Sequence, residues 1–461
     1  MSNVEPAYKE ENFVFKRPPR ILELASTLTP LLNELHDVSY SASYWLATLH
    51  RHLTACINRR PYLEQENGNE KYGTFGYSKF HPLPEKVMRK QTLLYILKAL
   101  RYRSNFKKNL KLLGRHDHIL LGDRAQKLAY YKEGVVMPAL YPVSVLFSGV
   151  NRKKRKKLEV IANRHNSRYI RNCLLSTPKI YVEYYDAIIK SIPVISPESK
   201  TFHFEHLESF YSEFLVALYR EKGAKVVRYQ TGGFMGELQY SPNEVFYAQI
   251  DELRTYGWKN HPKDFPDKPF RLIEYLENWK KHRPASGIFD YKILIVMAMA
   301  VTEQSKDSYN HFFEHFFTSI PDDIKEKVLV RPLPKYRFMD NSKQARVLNI
   351  PFDIQLDKGD KPMVQVASQA ELIVLTGIPS TTFLECLYAG QPVITLNTNT
   401  APSELFSSYI PDLTRLGILH NDVESLIDKV LGLEDINSWW KDVESDKRFI
   451  AFLKHFCGKE V

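Results

Sequence analysis

Apolar and polar positions alternate over the last third of the chain in a pattern that predicts strands separated by helices. Short apolar runs occur at 291–300, 327–334, 371–375 and 392–396, with helical spacing between them. Continuous apolar runs are typical of parallel strands that are buried on both faces. We therefore expect a parallel α/β sheet in this part of the chain.

One helix–strand unit stands out in the middle of the chain. Six apolar residues repeat at helical spacing, and Gly223 follows them in the position of a C-terminal cap. The run 225–230 then reads as a strand that enters the turn Thr231–Gly232–Gly233. The six residues predicted to share one helix face are Phe204, Leu207, Tyr211, Phe214, Leu215 and Leu218.

The first half of the chain predicts helices at 20–60 and 85–112, with a glycine- and proline-containing loop at 71–86. The polar stretch 280–290 has the composition of an interdomain link. We therefore expect an N-terminal domain at 1–284 and a C-terminal domain at 285–461, whose last helix returns to the first domain. In that helix, Trp439 and Trp440 are expected to be packing residues.

Composition supports a folded chain with large cores. The 461 residues are 44% hydrophobic, and no apolar run approaches the ~20 residues of a membrane span. The first twenty residues have no apolar core of the kind found in signal peptides. The four cysteines are far apart and show no metal-ligand or disulfide spacing, which favours a cytoplasmic location.

The formal charge of +11 is concentrated in part at 151–157, where six basic residues occur. Such a segment can attract an anionic membrane surface, or it can be a solvated helix start. No nucleic-acid-binding motif accompanies the charge, so nucleic acid is not expected as a partner.

A cluster of hydroxyl residues follows the apolar run 371–375. Ser380, Thr381 and Thr382 stand where a strand meets a helix, and Glu385 lies one turn further on. Ligands of open α/β sheets bind at the carboxyl ends of strands, and helix N-termini favour phosphate. These four residues are therefore candidates for a nucleotide site. Thr382 and Glu385 also fit a capping box, in which the carboxylate has no ligand role.

Two basic residues follow the apolar run at 327–330. Arg331 stands at the predicted strand end, where its guanidinium can bind a phosphate or carboxylate, and Lys335 is nearby. The alternative for Arg331 is an exposed salt bridge at the strand end.

The layout of residues 377–394 resembles the nucleotide-sugar-binding domain of glycosyltransferases with the GT-B fold. With three further segments, at 202–233, 256–262 and 436–456, it resembles a family of bacterial transferases from O-antigen and capsule gene clusters. It is more distantly similar to the retaining β-Kdo transferases, which use CMP-Kdo and need no metal. The resemblance covers roughly residues 200–457. Relatives carry His where this chain has Thr231.

The resemblance implies an α/β, GT-B-like fold with two Rossmann-like domains facing across a cleft and extra N-terminal helices. Gly232 and Gly233 would form a donor loop. Glycosyl transfer needs a base or nucleophile, for which the N-terminal domain offers Asp251, Glu237 and His261. A covalent retaining mechanism would use a carboxylate nucleophile, with Asp251 as first choice. No metal and no cofactor are expected, since the donor is a substrate.

The expected function is transfer of a sugar from a nucleotide donor, in the specific version Kdo from CMP-Kdo, to a glycan or lipid-linked acceptor of surface polysaccharide. A second possibility is transfer of a polyol phosphate from a CDP donor. A third is a non-catalytic scaffold of a membrane-associated complex, to which Thr231 and the basic segment 151–157 would point.

Overall fold

The structure is a computed structural model of the chain. It describes residues 18–58, 115–121, 135–137, 151–192, 196, 198–207, 210–239, 242–297, 304–333, 354–398 and 401–460. The predicted loop 71–86, the predicted helix 85–112 and the candidate Lys335 lie outside these ranges. So do residues 298–300 and 334, at the ends of two predicted strands.

Helices make up much of both halves of the described chain. Those of the first half are Pro18–His36, Ala42–Asn58, Arg152–Asn163, Arg168–Leu175, Tyr185–Ser191, Phe210–Glu221, the kinked segment Phe234–Glu237, and Glu244–Tyr247, with a 3-10 turn at Lys179–Tyr181. Those of the second half are Phe270–His282, Gln304–Ser319, Asp322–Lys325, Met363–Ala367, Thr381–Ala389, Glu404–Ser407, Ile410–Arg415, Val423–Leu431, Ile436–Ser445 and Lys447–Cys457. The extra N-terminal helices expected from the sequence are present in the first two of these.

Twelve strands are described, numbered here in chain order. They are β1 (His118–Leu121), β2 (Val135–Met137), β3 (Thr201–Phe204), β4 (Lys225–Tyr229), β5 (Glu252–Thr255), β6 (Asp264–Pro266), β7 (Tyr291–Val296), β8 (Val328–Arg331), β9 (Gln355–Leu356), β10 (Ala370–Leu375), β11 (Val393–Leu396) and β12 (Leu419–His420).

The strands form two six-stranded sheets. The first has the order β2-β1-β3-β4-β5-β6, and its strands β2, β1, β3 and β4 pair in parallel. The second has the order β12-β11-β10-β7-β8-β9 and is parallel throughout. The predicted α/β, GT-B-like class with two Rossmann-like sheets is therefore confirmed.

The second sheet is buried on both faces, as its apolar runs predict. Alternate residues of β7 and β10, among them Ile295 and Val374, pack against phenylalanines of the helix Gln304–Ser319. On the other face lie helices such as Thr381–Ala389, whose Phe383 is fully buried and packs beside Phe452 of the helix Lys447–Cys457. Two covered faces explain why these strands carry continuous rather than alternating apolar residues.

The chain divides into two compact units. One comprises Met1–Tyr229 with Asn243–Leu253, and the other comprises Gln230–Pro242 with Arg254–Val461. The boundary at 284/285 remains a prediction. In the first unit, the helix predicted from Phe204 onward starts later than expected: Phe204 ends β3, and the helix spans Phe210–Glu221. Its predicted cap is correct, since Gly223 has a φ of +97°, which favours glycine.

Candidate functional site

The hydroxyl turn lies at the carboxyl end of β10, beside β7. The chain runs from β7 outward through β8 and β9, and then returns to β10 on the opposite side of β7. This reversal is a topological switch point, where open parallel sheets form a ligand crevice. The turn 376–380 leads from β10 directly into the helix Thr381–Ala389, with Ser380 as its N-cap residue. The peptide bond between Ile378 and Pro379 is cis.

The capping box of Thr382 and Glu385, the alternative to a nucleotide site, does not form. The helix begins at Thr381 rather than after Thr382, and the side chain of Ser380 makes no capping hydrogen bond. The first N–H groups of a helix have no acceptor within the helix. Ser380, Thr381 and Thr382 are half-buried, so three hydroxyls and this helix N-terminus occupy one short turn.

The glycine turn, residues 231–237, packs against the hydroxyl turn. The backbone N–H of Gly233 donates to Thr381 Oγ1 at 3.2 Å. A Cβ at Gly232 would lie 2.6 Å from Thr381 Oγ1, and one at Gly233 would lie 2.7 Å from the carbonyl oxygen of Ser380. Only glycine fits this close approach. The contact joins the glycine turn to the hydroxyl turn, which are about 150 residues apart in the sequence.

Gln230 holds the glycine turn in place. Its Nε2 donates to the carbonyls of Gly232 at 3.0 Å and Met235 at 3.2 Å. Its Oε1 accepts from the N–H of Tyr256 and from Trp258 Nε1, both at 2.9 Å. Each bond satisfies a buried polar group that would otherwise be costly. The turn is therefore fixed by bonds within the second unit.

Glu385 forms a largely buried ion pair. Arg271 Nε donates to Glu385 Oε1 at 2.9 Å, and Arg271 Nη1 donates to the carbonyl of Thr231 at 2.8 Å. The guanidinium thus links the helix Thr381–Ala389 to the glycine turn. Sequence reasoning missed Arg271, because nothing in the amphipathic helix Phe270–His282 distinguishes it from its solvated lysines.

Glu237 closes the glycine turn and is fully buried. An added Cβ at Gly233 would lie 2.6 Å from Glu237 Oε1, so the carboxyl is next to the turn. Burial raises the pKa of Glu237 well above its ordinary value, because the charged form loses its hydration. Of the three predicted catalytic residues, Glu237 alone lies beside the hydroxyl turn. The adjacent Thr231 is also buried, and its hydroxyl contacts the Met235 sulfur.

Asp251 has both carboxylate oxygens engaged. Oδ1 accepts from Arg220 Nη2 at 3.1 Å, and Oδ2 accepts from the backbone N–H of Val226 at 2.8 Å. These contacts fix the start of β5 against β4 and belong to the first unit. They give Asp251 a structural role at the start of β5, and the predicted nucleophile role stays a prediction.

Arg331 forms a buried ion pair, whereas the alternative considered from the sequence was an exposed one. Its guanidinium pairs with Asp357 and donates to the carbonyl of Lys361 at 3.1 Å.

His261 lies in a turn, where its Nδ1 accepts from the N–H of Lys263 at 3.1 Å. The indoles of Trp439 and Trp440 donate to backbone carbonyls, of Leu416 and Gly390 respectively. These bonds do not involve the hydroxyl turn, and the predicted site roles of Arg331 and His261 stay predictions.

The basic segment starts the helix Arg152–Asn163. Lys154 pairs with Asp186, and Arg155 pairs with Glu183 at 2.9 Å. Two of its basic side chains are thus held in ion pairs, and the segment is not wholly solvated. In the part of the chain that the structure describes, no helix has the length and hydropathy needed to cross a membrane.

One group of described side chains could hold a metal ion. His311, His315 and Glu424 place their ligand atoms within 4.8 Å of one another. The three are largely exposed and lie on the helices Gln304–Ser319 and Val423–Leu431. The hydroxyl turn uses none of them.

Comparison with known proteins identifies a family. The model of the LIC12162 family transferases matches residues 87–459, and no curated protein matches the chain. Among solved structures, the chain is similar to a UDP-GlcNAc 2-epimerase of Methanocaldococcus jannaschii in complex with UDP-GlcNAc and UDP, at 12% identity and a TM-score of 0.38, covering 71% of this chain and 98% of that one.

Two further structures are similar at the same level. Alr3699/HepE of Anabaena in complex with UDP has 10% identity and a TM-score of 0.38, covering 74% of this chain and 95% of that one. The wall teichoic acid polymerase TagF has 10% identity and a TM-score of 0.32, covering 81% of this chain and 93% of that one. Similarities this low say nothing about the substrate of this chain.

Proposed function

Because the chain belongs to the LIC12162 family of transferases, we propose that it is a glycosyltransferase that takes its sugar from a nucleotide-activated donor. The observation that carries this proposal is the packing of the glycine turn against the hydroxyl turn at the switch point of the second sheet. Open parallel sheets bind ligands at such a switch point, and the neighbouring helix N-terminus suits the phosphates of a nucleotide.

Each group at the turn has a role in the proposal. The N–H groups at the start of the helix Thr381–Ala389 and the hydroxyls of Ser380 and Thr382 would donate to donor phosphate oxygens. Thr381 Oγ1 already accepts from Gly233, so it would hold the donor loop Gly232–Gly233 in position. Glu385, held by Arg271, would accept from the ribose with its second oxygen, since a carboxylate accepts several hydrogen bonds.

Glu237 is the proposed catalytic carboxyl. Burial raises the pKa of Glu237 well above its ordinary value, so its ionised carboxylate is a stronger base, which would take the proton of the acceptor hydroxyl as the nucleotide leaves the sugar. Asp251 and His261 stay as weaker candidates, because Asp251 is held by Arg220 and Val226 and His261 by its own turn. Arg331 and Lys335 stay as proposed phosphate contacts, and we propose that the transfer needs no metal.

The finer assignment rests on the resemblance described above. We propose Kdo from CMP-Kdo as the donor and a glycan or lipid-linked acceptor of bacterial surface polysaccharide. The basic segment 151–157 would bring the protein to an anionic membrane surface. Transfer of a polyol phosphate from a CDP donor is the second candidate, and mass spectrometry separates the two because only that product gains phosphorus.

The proposal is tested by thermal shift with CMP, CDP, UDP, GDP and ADP. Wild type should be stabilised by at least one nucleotide, by about 2.7 kcal/mol at a concentration of 100 times Kd. Thr381→Val removes the hydroxyl that holds Gly233 and should reduce that shift. Thr318→Val is the matched control, since Thr318 is exposed on the helix Gln304–Ser319 and bonds only to carbonyls of its own helix.

Each outcome has a definite meaning. A shift with CMP alone supports the Kdo version, whereas a shift with UDP or GDP keeps the glycosyltransferase and removes Kdo. No shift with any of the five nucleotides contradicts the proposal and favours the non-catalytic scaffold. An equal loss in both threonine variants would show that the hydroxyl turn is not the binding site.

A further inference from the structure

The first unit contains a cavity of about 290 Å³ that the proposed function does not use. It lies where β3 and β4 end: Phe204 is the last residue of β3, and Arg228 is the penultimate residue of β4. The helices Pro18–His36, Ala42–Asn58, Phe210–Glu221 and Glu244–Tyr247 supply the remaining walls. The volume is close to the lower bound of about 300 Å³ for small-molecule sites, which suits a ligand about the size of one monosaccharide.

Arg228 is the most unusual group in this wall. Its guanidinium lies over the ring of Phe246 with 4.3 Å from Cζ to the ring centroid, and its Nε donates to the carbonyl of Glu205 at 3.1 Å. Among the residues that the structure describes, no carboxylate forms an ion pair with it. Burial lowers the pKa of Arg228 to about 10. Arg228 is half-buried, and a cation that loses hydration without gaining an anion is costly, so an anion bound in this cavity would offset that cost.

The other walls define the rest of the ligand. Phe204 and Phe246 supply apolar surface, and the polar residues His50, Asn243 and Gln249 also line the cavity. Glu213 lines it as well, and a carboxylate accepts hydrogen bonds from hydroxyl groups while repelling a second anion. Arg228 is the one arginine or lysine among the lining residues, so it is the place for negative charge, and the uncharged polar residues offer places for hydroxyls.

We propose that this cavity binds a small hydroxylated anion, with the Arg228 guanidinium holding its carboxylate or phosphate through the Nη groups. Arg228 stacked on Phe246 presents a planar fork that matches either anion. The inference does not depend on the proposed function, because all the lining residues belong to the first unit and the hydroxyl turn belongs to the second. Binding here can be present or absent whatever the nucleotide panel shows.

The test is calorimetric titration of the full chain, without nucleotide, using glucuronate, glucose 6-phosphate and neutral glucose. Wild type should bind at least one of the two anions and bind glucose at least tenfold more weakly. Arg228→Met should weaken anion binding about 10- to 100-fold, since a hydrogen bond to a charged group is lost. Arg283→Met is the matched control: Arg283 also stacks on an aromatic ring, that of Trp279, but lies in the second unit.

The two anions separate the possible head groups. Binding of glucuronate alone assigns a carboxylate site, and binding of glucose 6-phosphate alone assigns a phosphate site. Absence of binding by both anions, or equal binding of glucose, overturns the proposal even if Arg228→Met does not fold, because that comparison uses wild type only. Unchanged binding in a folded Arg228→Met variant, or an equal loss in Arg283→Met, also overturns it.

Discussion

Replacing Gly233 by alanine tests the packing on which the candidate site depends. Gly233 has φ −63° and ψ −30°, a conformation that alanine adopts without strain. The effect of the substitution therefore comes from the added methyl group alone. That methyl would lie 2.6 Å from Glu237 Oε1 and 2.7 Å from the carbonyl oxygen of Ser380. The Ser380 contact is with backbone, so the two turns have to move apart.

The expected loss of unfolding free energy in Gly233→Ala is the sum of two destabilising contributions and one stabilising contribution. Overpacking of a tight interior costs about 1–3 kcal/mol, and loss of the bond from Gly233 to Thr381 Oγ1 costs about 0.5–1.5 kcal/mol. The reduced freedom of the unfolded chain offsets about 0.4–1 kcal/mol. We expect a net loss of about 2 kcal/mol, which lowers Tm by about 4–8 °C in a domain of this size.

Differential scanning calorimetry measures the change, with Gly432→Ala as control. Gly432 also has a negative φ, −79°, and the nearest atom to an added Cβ there is a helix carbonyl at 3.2 Å. Gly432→Ala should leave Tm nearly unchanged or raise it slightly. If Gly233→Ala is as stable as Gly432→Ala, the glycine turn does not pack on the hydroxyl turn, and the candidate site is wrong.

Three further predictions concern charged groups. Arg271→Met should lower the free energy of unfolding, measured by urea titration, by about 2 kcal/mol, because it removes the arginine that pairs with Glu385. The double variant with Glu385→Met should recover most of that loss, and no recovery would refute the pairing. Burial raises the pKa of Glu237, so wild-type stability should fall as the pH rises from the pKa of Glu237 in the unfolded chain toward its higher pKa in the folded protein. Glu237→Gln should lack this dependence, and parallel profiles of stability against pH for the two proteins would contradict the prediction. Asp251→Asn should lower Tm, because it weakens the bond to Arg220, and the variant should retain most transfer activity. A stable but inactive variant would instead support the nucleophile role of Asp251.

The sequence predicts the second sheet well because each strand leaves a local signal. The apolar runs at 291–300, 327–334, 371–375 and 392–396 correspond to β7, β8, β10 and β11. Strands without such runs were missed, among them β9 and β12, which have only two residues each. A two-residue strand is defined by the neighbour it pairs with, and a pattern along the chain contains no information about that neighbour.

At Phe204 the sequence pattern predicts a helix where the structure has a strand. Phe204 and Leu207 continue the helical spacing of the residues after 210, yet the chain forms β3 at Thr201–Phe204. Parallel pairing of Phe204 with Arg228 decides the conformation there. Tertiary contacts of this kind override a local period, and they explain why the boundary was wrong although the helix itself was correct.

The site was predicted in parts, and the missing part is the contact between them. Glu385 could be a cap or a ligand from its spacing alone, and the structure instead pairs it with Arg271, 114 residues away. Arg271 in turn binds the carbonyl of Thr231 and not its side chain. Because every residue has that carbonyl, the chain can carry threonine where the resemblance implies histidine and still hold the glycine turn on the helix. The identity of the side chain at position 231 therefore bears on the chemistry at the turn, and the hydrogen bond from Arg271 that positions the glycine turn does not depend on it.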